Sequence, residues 1–162
     1  MDPLRVLVAG IGNVFLGDDA FGVEVVARLR GRALPAGVRV VDFGIRGIDL
    51  AFALERCEAA ILVDATARGG APGTVYVIEP DVSGDPDPGL SPHALTPDHV
   101  LRRLAPGARP RSLRVVGCEP QSLGDDDAPA GLSPPVRAAV DEAVRVVEAL
   151  VAELLQEGAV DA

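Results

Sequence analysis

The sequence predicts an α/β protein built on a mostly parallel sheet of about five strands, with helices on both faces. Segments typical of strands alternate with segments typical of helices, and the strand segments are almost continuously apolar. Strands that are buried on both faces have this composition, and an alternating order of strands and helices is typical of such sheets. No linker divides the 162 residues, so we expect residues 1–162 to form a single domain.

The first half of the chain supplies three strands and two helices. A short valine-rich run ends at Gly10, which is typical of a buried strand that enters a tight turn. Phe21, Val25 and Leu29 are spaced four residues apart and predict a helix with one buried stripe. The predicted elements are a strand over 5–9, a helix over 19–30, a strand over 38–43, a helix over 48–56 and a strand over 59–63.

The second half supplies two more strands and two more helices. Thr96 and Ser133 are each followed by proline, a pattern that predicts a helix start with a side-chain cap. The strand over 74–78 follows its predecessor too closely for a helical crossover, so it can run antiparallel. The predicted elements are a strand over 74–78, a loop over 82–90, a helix over 96–104, a strand over 113–118, a loop over 121–132 and a helix from 133 to about 156.

The composition argues against several classes of function. The formal net charge of −9 is unsuited to nucleic acid, because phosphates require a basic surface. No apolar run reaches the length of a membrane-spanning helix, and the first residues do not resemble an export signal. Cys57 and Cys118 form no CxxC pair. We therefore expect a cytoplasmic monomer that binds neither nucleic acid nor membranes.

Acidic residues and one histidine follow the predicted strands. Asp19 comes after the first strand, Asp42 ends the second, Asp64 ends the third, and His93 follows the fourth strand and its loop. Sites in open α/β sheets form at the carboxyl ends of the strands, so these side chains can converge on one edge. Asp19, Asp64 and His93 together would offer two oxygens and one nitrogen, a ligand set suited to Zn, Ni, Co or Mn.

Each of these residues also has an ordinary structural interpretation. An aspartate at a helix start is commonly a cap, an aspartate after a strand commonly forms a turn, and His93 can be a loop residue. Gly10 and Gly12 form half of a dinucleotide fingerprint whose third glycine is replaced by Phe15. Cys118 is a formal nucleophile, although a thiol ending an apolar strand is more often inert. No HExxH motif or Gly-x-Ser-x-Gly nucleophile elbow is present.

An ordered set of motifs along nearly the whole chain resembles the hydrogenase maturation endopeptidases. No single motif is specific, but their order and spacing in one short chain are. The motifs are GIGN at 10–13, GDDAFG at 17–22, DxGxxG at 42–47, LVDA at 62–65, PGT at 72–74, SPHxL at 91–95, GxxP at 117–120 and LSP at 132–134.

The resemblance implies an α/β/α sandwich around a twisted, mostly parallel sheet. It also implies an endopeptidase that removes the C-terminal extension of a [NiFe]-hydrogenase large-subunit precursor after nickel insertion. It assigns Asp19, Asp64 and His93 as the catalytic, metal-binding residues. The nickel belongs to the substrate, with Zn or Cd able to take its place in vitro, and the resting enzyme need not hold a metal.

Two parts of this chain differ from the usual family pattern. The second loop often reads Asp-Gly-Gly-Thr, whereas here Asp42 is followed by Phe43 and, after two more residues, by Arg46. We expect Asp42, Phe43 and Arg46 to contact the substrate and to influence its choice. The first loop has two adjacent acids, of which the resemblance selects Asp19 for the metal, while Asp18 is interpreted as a cap or a supporting residue.

Three other functions remain compatible with the residues. A non-catalytic chaperone could check nickel insertion without cutting the precursor. A nucleotide or S-adenosylmethionine binder could use the turn at Gly10 and Gly12. An endopeptidase of this kind could also process a precursor other than a hydrogenase.

Overall fold

The structure, a computed structural model, describes residues 5–13, 15–45, 47–80, 110–123 and 131–160. A short 3₁₀ helix, Gly17–Ala20, lies between the first strand and the first α-helix. The strands and α-helices of these residues are β1 (Val6–Ile11), α1 (Phe21–Arg30), β2 (Val38–Gly44), α2 (Gly47–Leu54), β3 (Ala59–Ala65), β4 (Val75–Ile78), β5 (Ser112–Cys118) and α3 (Pro134–Val160).

The strands form one mixed sheet in the order β2-β1-β3-β5-β4. The pairs of β1 with β2, β1 with β3 and β3 with β5 are parallel, whereas β4 pairs with β5 in the antiparallel sense. The predicted fold class and the antiparallel direction of the fourth strand are confirmed. The parallel strands all end at the same edge, called the carboxyl edge below.

Two apolar clusters cover the two faces of the sheet. Val6 and Val8 of β1 point into the cluster that also holds the buried residues of α1 and α3. Leu7 and Ala9 alternate with them and join Leu50 of α2 on the opposite face. The alternation follows from the two-residue period of a strand, and it explains why the strands are apolar on both sides. The result is the three-layer arrangement of helix, sheet and helix.

The predicted elements agree with the observed ones in the described residues, with small shifts at their ends. The third strand extends beyond its predicted end to Ala65, because Asp64 and Ala65 pair with Gly117 and Cys118 of β5. The last helix continues to Val160 rather than to about residue 156. The loop predicted over 82–90 and the helix predicted over 96–104 lie outside the described residues. In the part of the chain that is described, no helix is both long and apolar enough to cross a bilayer.

Helix α1 lies unusually close to the carboxyl edge. A Cβ atom built on Gly22 would lie 2.1 Å from the carbonyl oxygen of Val63 and 2.4 Å from that of Ile11. These two carbonyls belong to β3 and β1, so the first turn of α1 rests directly on the ends of both central strands. The packing fixes the segment that precedes α1, which carries Asp19, against the end of the sheet.

Candidate active site

Asp19 and Asp64 come together at the carboxyl edge from two different elements. Asp64 lies near the end of β3, and Asp19 lies in the 3₁₀ helix that follows β1, the strand next to β3 in the sheet. One carboxylate oxygen of Asp19 accepts a hydrogen bond of 2.9 Å from the backbone amide of Asn13. The two side chains are both partly buried, and the negative charge of Asp19 acts on Asp64. The carboxyl edge thus brings two acids that were predicted from the sequence close enough for the charge of one to act on the other.

The Asp64 carboxyl is strongly biased towards its protonated form. Burial, and secondarily the charge of Asp19, raise its pKa to about 8, although a hydrogen bond from the Ala65 amide opposes the shift. Desolvation and a neighbouring like charge both disfavour an ionised carboxylate. A cation bound by the two acids would remove this repulsion and favour the ionised form of Asp64.

The raised pKa of Asp64 predicts a pH-dependent gain in stability for Asp64→Asn. In the unfolded chain the carboxyl ionises near its ordinary value of 3.8, whereas the folded protein retains the proton up to about pH 8. The unfolded state therefore binds fewer protons than the folded state in this window, and native stability falls as the pH rises through it. We expect the variant to melt about 4 °C or more above the wild type near pH 8 and close to it near pH 4, since 1 kcal/mol corresponds to roughly 2–4 °C at this length.

Thermal melts followed by circular dichroism across this pH range measure the effect. The matched control is Glu153→Gln, which removes a carboxylate from an exposed position of α3. A stability difference between Asp64→Asn and the wild type that is the same at all pH values would contradict the assignment of the raised pKa to Asp64.

Asp18, the neighbour of Asp19, points away from the edge and into the protein. Its side chain is 1 % exposed and accepts hydrogen bonds from the amides of Gln121, Ser122 and Ser133 and from the Ser133 hydroxyl. Burial alone would raise the pKa of Asp18, but the bonds from Ser133, Ser122 and Gln121 outweigh it and hold the pKa below its usual value. Asp18 therefore makes its hydrogen bonds inside the protein, and these partners were not visible in the sequence.

Ser133 has a different role from the predicted one. Its carbonyl accepts the first helical hydrogen bond, from the amide of Arg137, so it stands at the N-cap position of α3. Its hydroxyl donates to Asp18 instead, over 2.8 Å. The sequence correctly predicted the helix start but not the partner of the side chain.

Glu119, the acid that follows the last strand, is a second buried carboxylate near the edge, and no role was predicted for it. It is 5 % exposed, and one oxygen accepts from the amides of Arg68 and Gly70, each at 2.8 Å, and from the Tyr76 hydroxyl at 2.9 Å. The Arg68 amide bond and its companions hold the pKa of Glu119 below its usual value. Glu119 thus holds the connection between β3 and β4 in place. The acidic residue directly after an apolar strand was the one signal that could have indicated it.

The end of β2 and the residue after it reach the same edge, but the side chains they expose differ from those expected. Asp42 pairs with Gly10 in the sheet, and its carboxylate accepts from the Gly44 amide at 2.8 Å, which forms a local turn. Phe43 is 6 % exposed and packs in the α2-side core with Leu50. That burial argues against the predicted contact between Phe43 and a substrate. Ile45, which was not singled out, is 64 % exposed on this loop.

Two of the predicted site residues, His93 and Arg46, lie outside the described residues. Within the described ranges, no group of three or more His, Cys, Asp or Glu side chains could hold a metal ion. Asp19 and Asp64 are two members of the predicted ligand set. The metal-binding roles of Asp19, Asp64 and His93 and the contact assigned to Arg46 stay predictions.

The two glycines of the first loop have a packing explanation. A Cβ atom on Gly12, whose φ is +142°, would lie 1.8 Å from the carbonyl oxygen of Asp19. A Cβ atom on Gly10 would lie 2.6 Å from the carbonyl oxygen of Gly22. Both positions must lack a side chain so that the 3₁₀ helix and α1 can approach β1. The glycine spacing therefore requires no bound nucleotide.

Comparisons with known proteins agree with this architecture. The family model described as "Hydrogenase maturation protease" matches residues 23–150. The "Hydrogenase 2 maturation protease" of Escherichia coli K12 is 34% identical over 154 residues, covering 93% of this chain and 92% of that protein. The "Hydrogenase expression/formation protein HoxM" of Azotobacter vinelandii is 36% identical over 159 residues, with coverage of 94% and 75%.

A solved structure shows the same fold at similar sequence identity. The hydrogenase maturating endopeptidase HybD from Escherichia coli superimposes with a TM-score of 0.77 at 32% identity, covering 92% of this chain and 93% of that chain. The likeness extends over nearly the whole length in sequence and in structure. The chain belongs to the hydrogenase maturation protease family, a family of endopeptidases.

Proposed function

We propose that this protein removes the C-terminal extension of a [NiFe]-hydrogenase large-subunit precursor after nickel insertion, and that Asp19, Asp64 and His93 recognise the substrate-bound nickel. The observation that carries the proposal is the meeting of Asp19 and Asp64 at the carboxyl edge, with the pKa of Asp64 raised to about 8 by burial and by the charge of Asp19. Family membership supports the type of reaction.

The electrostatics of the pair suit a cation that arrives with the substrate. Without a cation, burial and mutual repulsion keep one proton on the pair near neutral pH. Nickel held by the precursor would displace that proton and bind both carboxylates, with His93 as the nitrogen ligand. The same site would then bind a precursor without nickel less tightly, because that precursor offers no cation for the two carboxylates to bind. Zn or Cd would replace nickel in vitro, since both accept oxygen and nitrogen ligands.

Hydrolysis can follow from this arrangement in two ways. A metal-bound scissile carbonyl or water is polarised, which makes attack on the peptide bond easier. Alternatively, one of the carboxylates takes a proton from the attacking water, the role of the acid residues in an aspartic-type endopeptidase. A general base works best when its pKa lies near the working pH, and the raised pKa of Asp64 meets that condition as long as nickel is not bound to this carboxyl.

The surface beside the acids is suited to an extended peptide. Phe15 is 84 % exposed and Leu16 is 40 % exposed on the first loop, and Ile45 projects from the second. The two loops are joined by a hydrogen bond of 3.0 Å from the Gly12 amide to the Gly44 carbonyl. We propose that these side chains, together with Asp42 and Arg46, contact the precursor around its nickel.

The proposed setting is the cytoplasm, and the proposed working form is a monomer. Cys57 and Cys118 are free thiols, each buried in the core, and burial raises the pKa of both to about 11. Such thiols are unreactive, which also argues against Cys118 as the nucleophile. The net charge of −9 is unsuited to nucleic acid as a partner.

Cleavage of a purified precursor with and without nickel tests the proposal. We expect the protein to shorten the nickel-loaded precursor, as seen by mass spectrometry, and to cut the nickel-free precursor at least about 10-fold more slowly, because the acids then lack their cation. Binding of the loaded precursor without shortening would favour a nickel-checking chaperone. Equal cleavage of both forms would show that nickel is not what the site recognises.

A further inference from the structure

The Asp18 carboxylate joins three distant parts of the chain. Oδ1 accepts from the Ser133 amide at 2.7 Å, and Oδ2 accepts from the Gln121 amide at 2.8 Å, the Ser122 amide at 3.0 Å and the Ser133 hydroxyl at 2.8 Å. The Asp18 amide in turn donates to the Ser122 carbonyl at 3.1 Å. The first loop is thereby attached to the segment after β5 and to the start of α3, each more than 100 residues away.

The next residue in the chain is Asp19, and its placement depends on the same short helix. Both acids lie in the 3₁₀ helix Gly17–Ala20, where successive side chains are about 120° apart. When Asp18 points inward, Asp19 must therefore point elsewhere. The Asp19 amide donates to the Leu16 carbonyl at 3.0 Å, and its carboxylate accepts from the Asn13 amide at 2.9 Å. The anchored Asp18 and the Asp19 side chain bound to Asn13 thus lie next to each other in one short helix.

We propose that Asp18 is a positioning residue of the active site, which holds Asp19 in the orientation that faces Asp64. This inference rests on the proposed function in one respect only, namely that Asp19 contacts the substrate's nickel. Hydrogen bonds to an ionised acceptor are short and strong, and four of them on one buried group leave the helical turn little freedom. If a neutral side chain replaced the Asp18 carboxylate, the 3₁₀ helix that carries Asp19 would be held less firmly.

The first test is amide hydrogen exchange in the Asp18→Asn variant, without any substrate. Asparagine keeps the shape of the side chain, but its NH₂ group cannot accept from the surrounding donors. We expect the Asn13 amide, which donates to Asp19, to lose its protection by about 10-fold or more, since a broken hydrogen bond opens that amide to solvent. Amides in β1 and β3, such as that of Leu62, should stay protected.

The second test is the kinetics of precursor cleavage. A displaced Asp19 should raise KM several-fold and lower kcat/KM by about 10- to 100-fold, because small misplacements of a contact group have effects of this size. A merely destabilised protein loses active enzyme, which lowers the apparent kcat and leaves KM unchanged.

The matched control is Leu154→Ala. Leu154 is fully buried in α3, and its carbonyl accepts from Arg111, which precedes β5, so it lies at the edge of the sheet opposite the site. This variant leaves a cavity that destabilises the fold without touching the first loop. We expect it to keep the protection of Asn13 and the wild-type KM.

The outcomes separate the two proposals. Wild-type Asn13 protection in a folded Asp18→Asn protein would overturn the positioning role, and so would a wild-type KM. If Asp18→Asn does not fold, Ser133→Ala takes its place, because it removes only the hydroxyl donor to Asp18. We expect this variant to change Asn13 protection and KM in the same direction by about 3-fold. Unchanged Asn13 protection in Ser133→Ala would also overturn the positioning role. If the wild type cuts no precursor, the proposed function fails, while Asn13 protection still decides the role of Asp18.

Discussion

Asp64→Asn is expected to lower kcat/KM for cleavage of the nickel-loaded precursor by about 100-fold or more, the size usually seen when a general base or a charged contact is removed. The variant cannot give up a proton to become the carboxylate that the nickel would bind beside Asp19. Asparagine can still fill the space, but it binds a cation far less well than a carboxylate does. His93→Ala is expected to act in the same direction, since it removes the proposed nitrogen ligand.

The expected stability of Asp64→Asn shows whether its lower kcat/KM has a cause other than unfolding. The same substitution should raise the melting temperature near pH 8, because burial and the charge of Asp19 raise the pKa of the wild-type side chain to about 8. A variant that is more stable and much less active cannot owe its defect to unfolding. Asp141→Asn, on the exposed side of α3, removes the same charge elsewhere and should cleave normally. Full activity of both Asp64→Asn and His93→Ala would refute the site.

Gly22→Ala is expected to destabilise the protein by about 3 kcal/mol or more, or to prevent folding, because no neighbour can give way. The added methyl group would lie 2.1 Å from the Val63 carbonyl and 2.4 Å from the Ile11 carbonyl. Both atoms belong to the backbone of central strands, so α1 would have to move off the sheet. Urea denaturation, with the free energy of unfolding as the quantity compared, measures the change.

Gly31→Ala is the matched control for Gly22→Ala. Gly31 follows α1 with φ −84°, and a Cβ atom there would have its nearest neighbour at 3.6 Å. Alanine fits this conformation and should change the free energy of unfolding by no more than about 1 kcal/mol, in the stabilising direction. Equal stability of the two variants would show that α1 does not lie as close to β1 and β3 as the structure places it.

The sheet was largely predictable because its signals are local. Each strand is a short apolar run with a turn at its end, and the antiparallel β4 follows from the length of the connection before it. Extension of β3 to Ala65 was not predictable, because it depends on pairing with β5, about 50 residues later. The order of the strands in the sheet was also not predictable, because tertiary packing decides which parallel strands become neighbours.

The candidate site likewise has a part that the sequence could predict and a part that it could not. The positions of Asp19 and Asp64 at strand ends were visible as spacing, and the resemblance distinguished Asp19 from Asp18. What Asp18 and Glu119 do was not visible, since each binds backbone amides from segments between 49 and 115 residues away. The burial of Phe43 was missed for a related reason. Its side chain alternates with that of Asp42 along β2, and only packing against α2 shows that it faces the core.

The arginine that precedes β1 has a consequence for synthesis of the chain. A guanidinium nitrogen of Arg5 donates to the carbonyl of Leu155 at 3.0 Å, across 150 residues. The α1-side face of β1 is covered by α3 as well, so a nascent chain that has not yet released α3 from the ribosome would leave Val6 and Val8 without much of their cover. β1 is made before α3 and thus reaches its final surroundings only when α3 is available. A nascent-chain chaperone would therefore act mainly before α3 emerges.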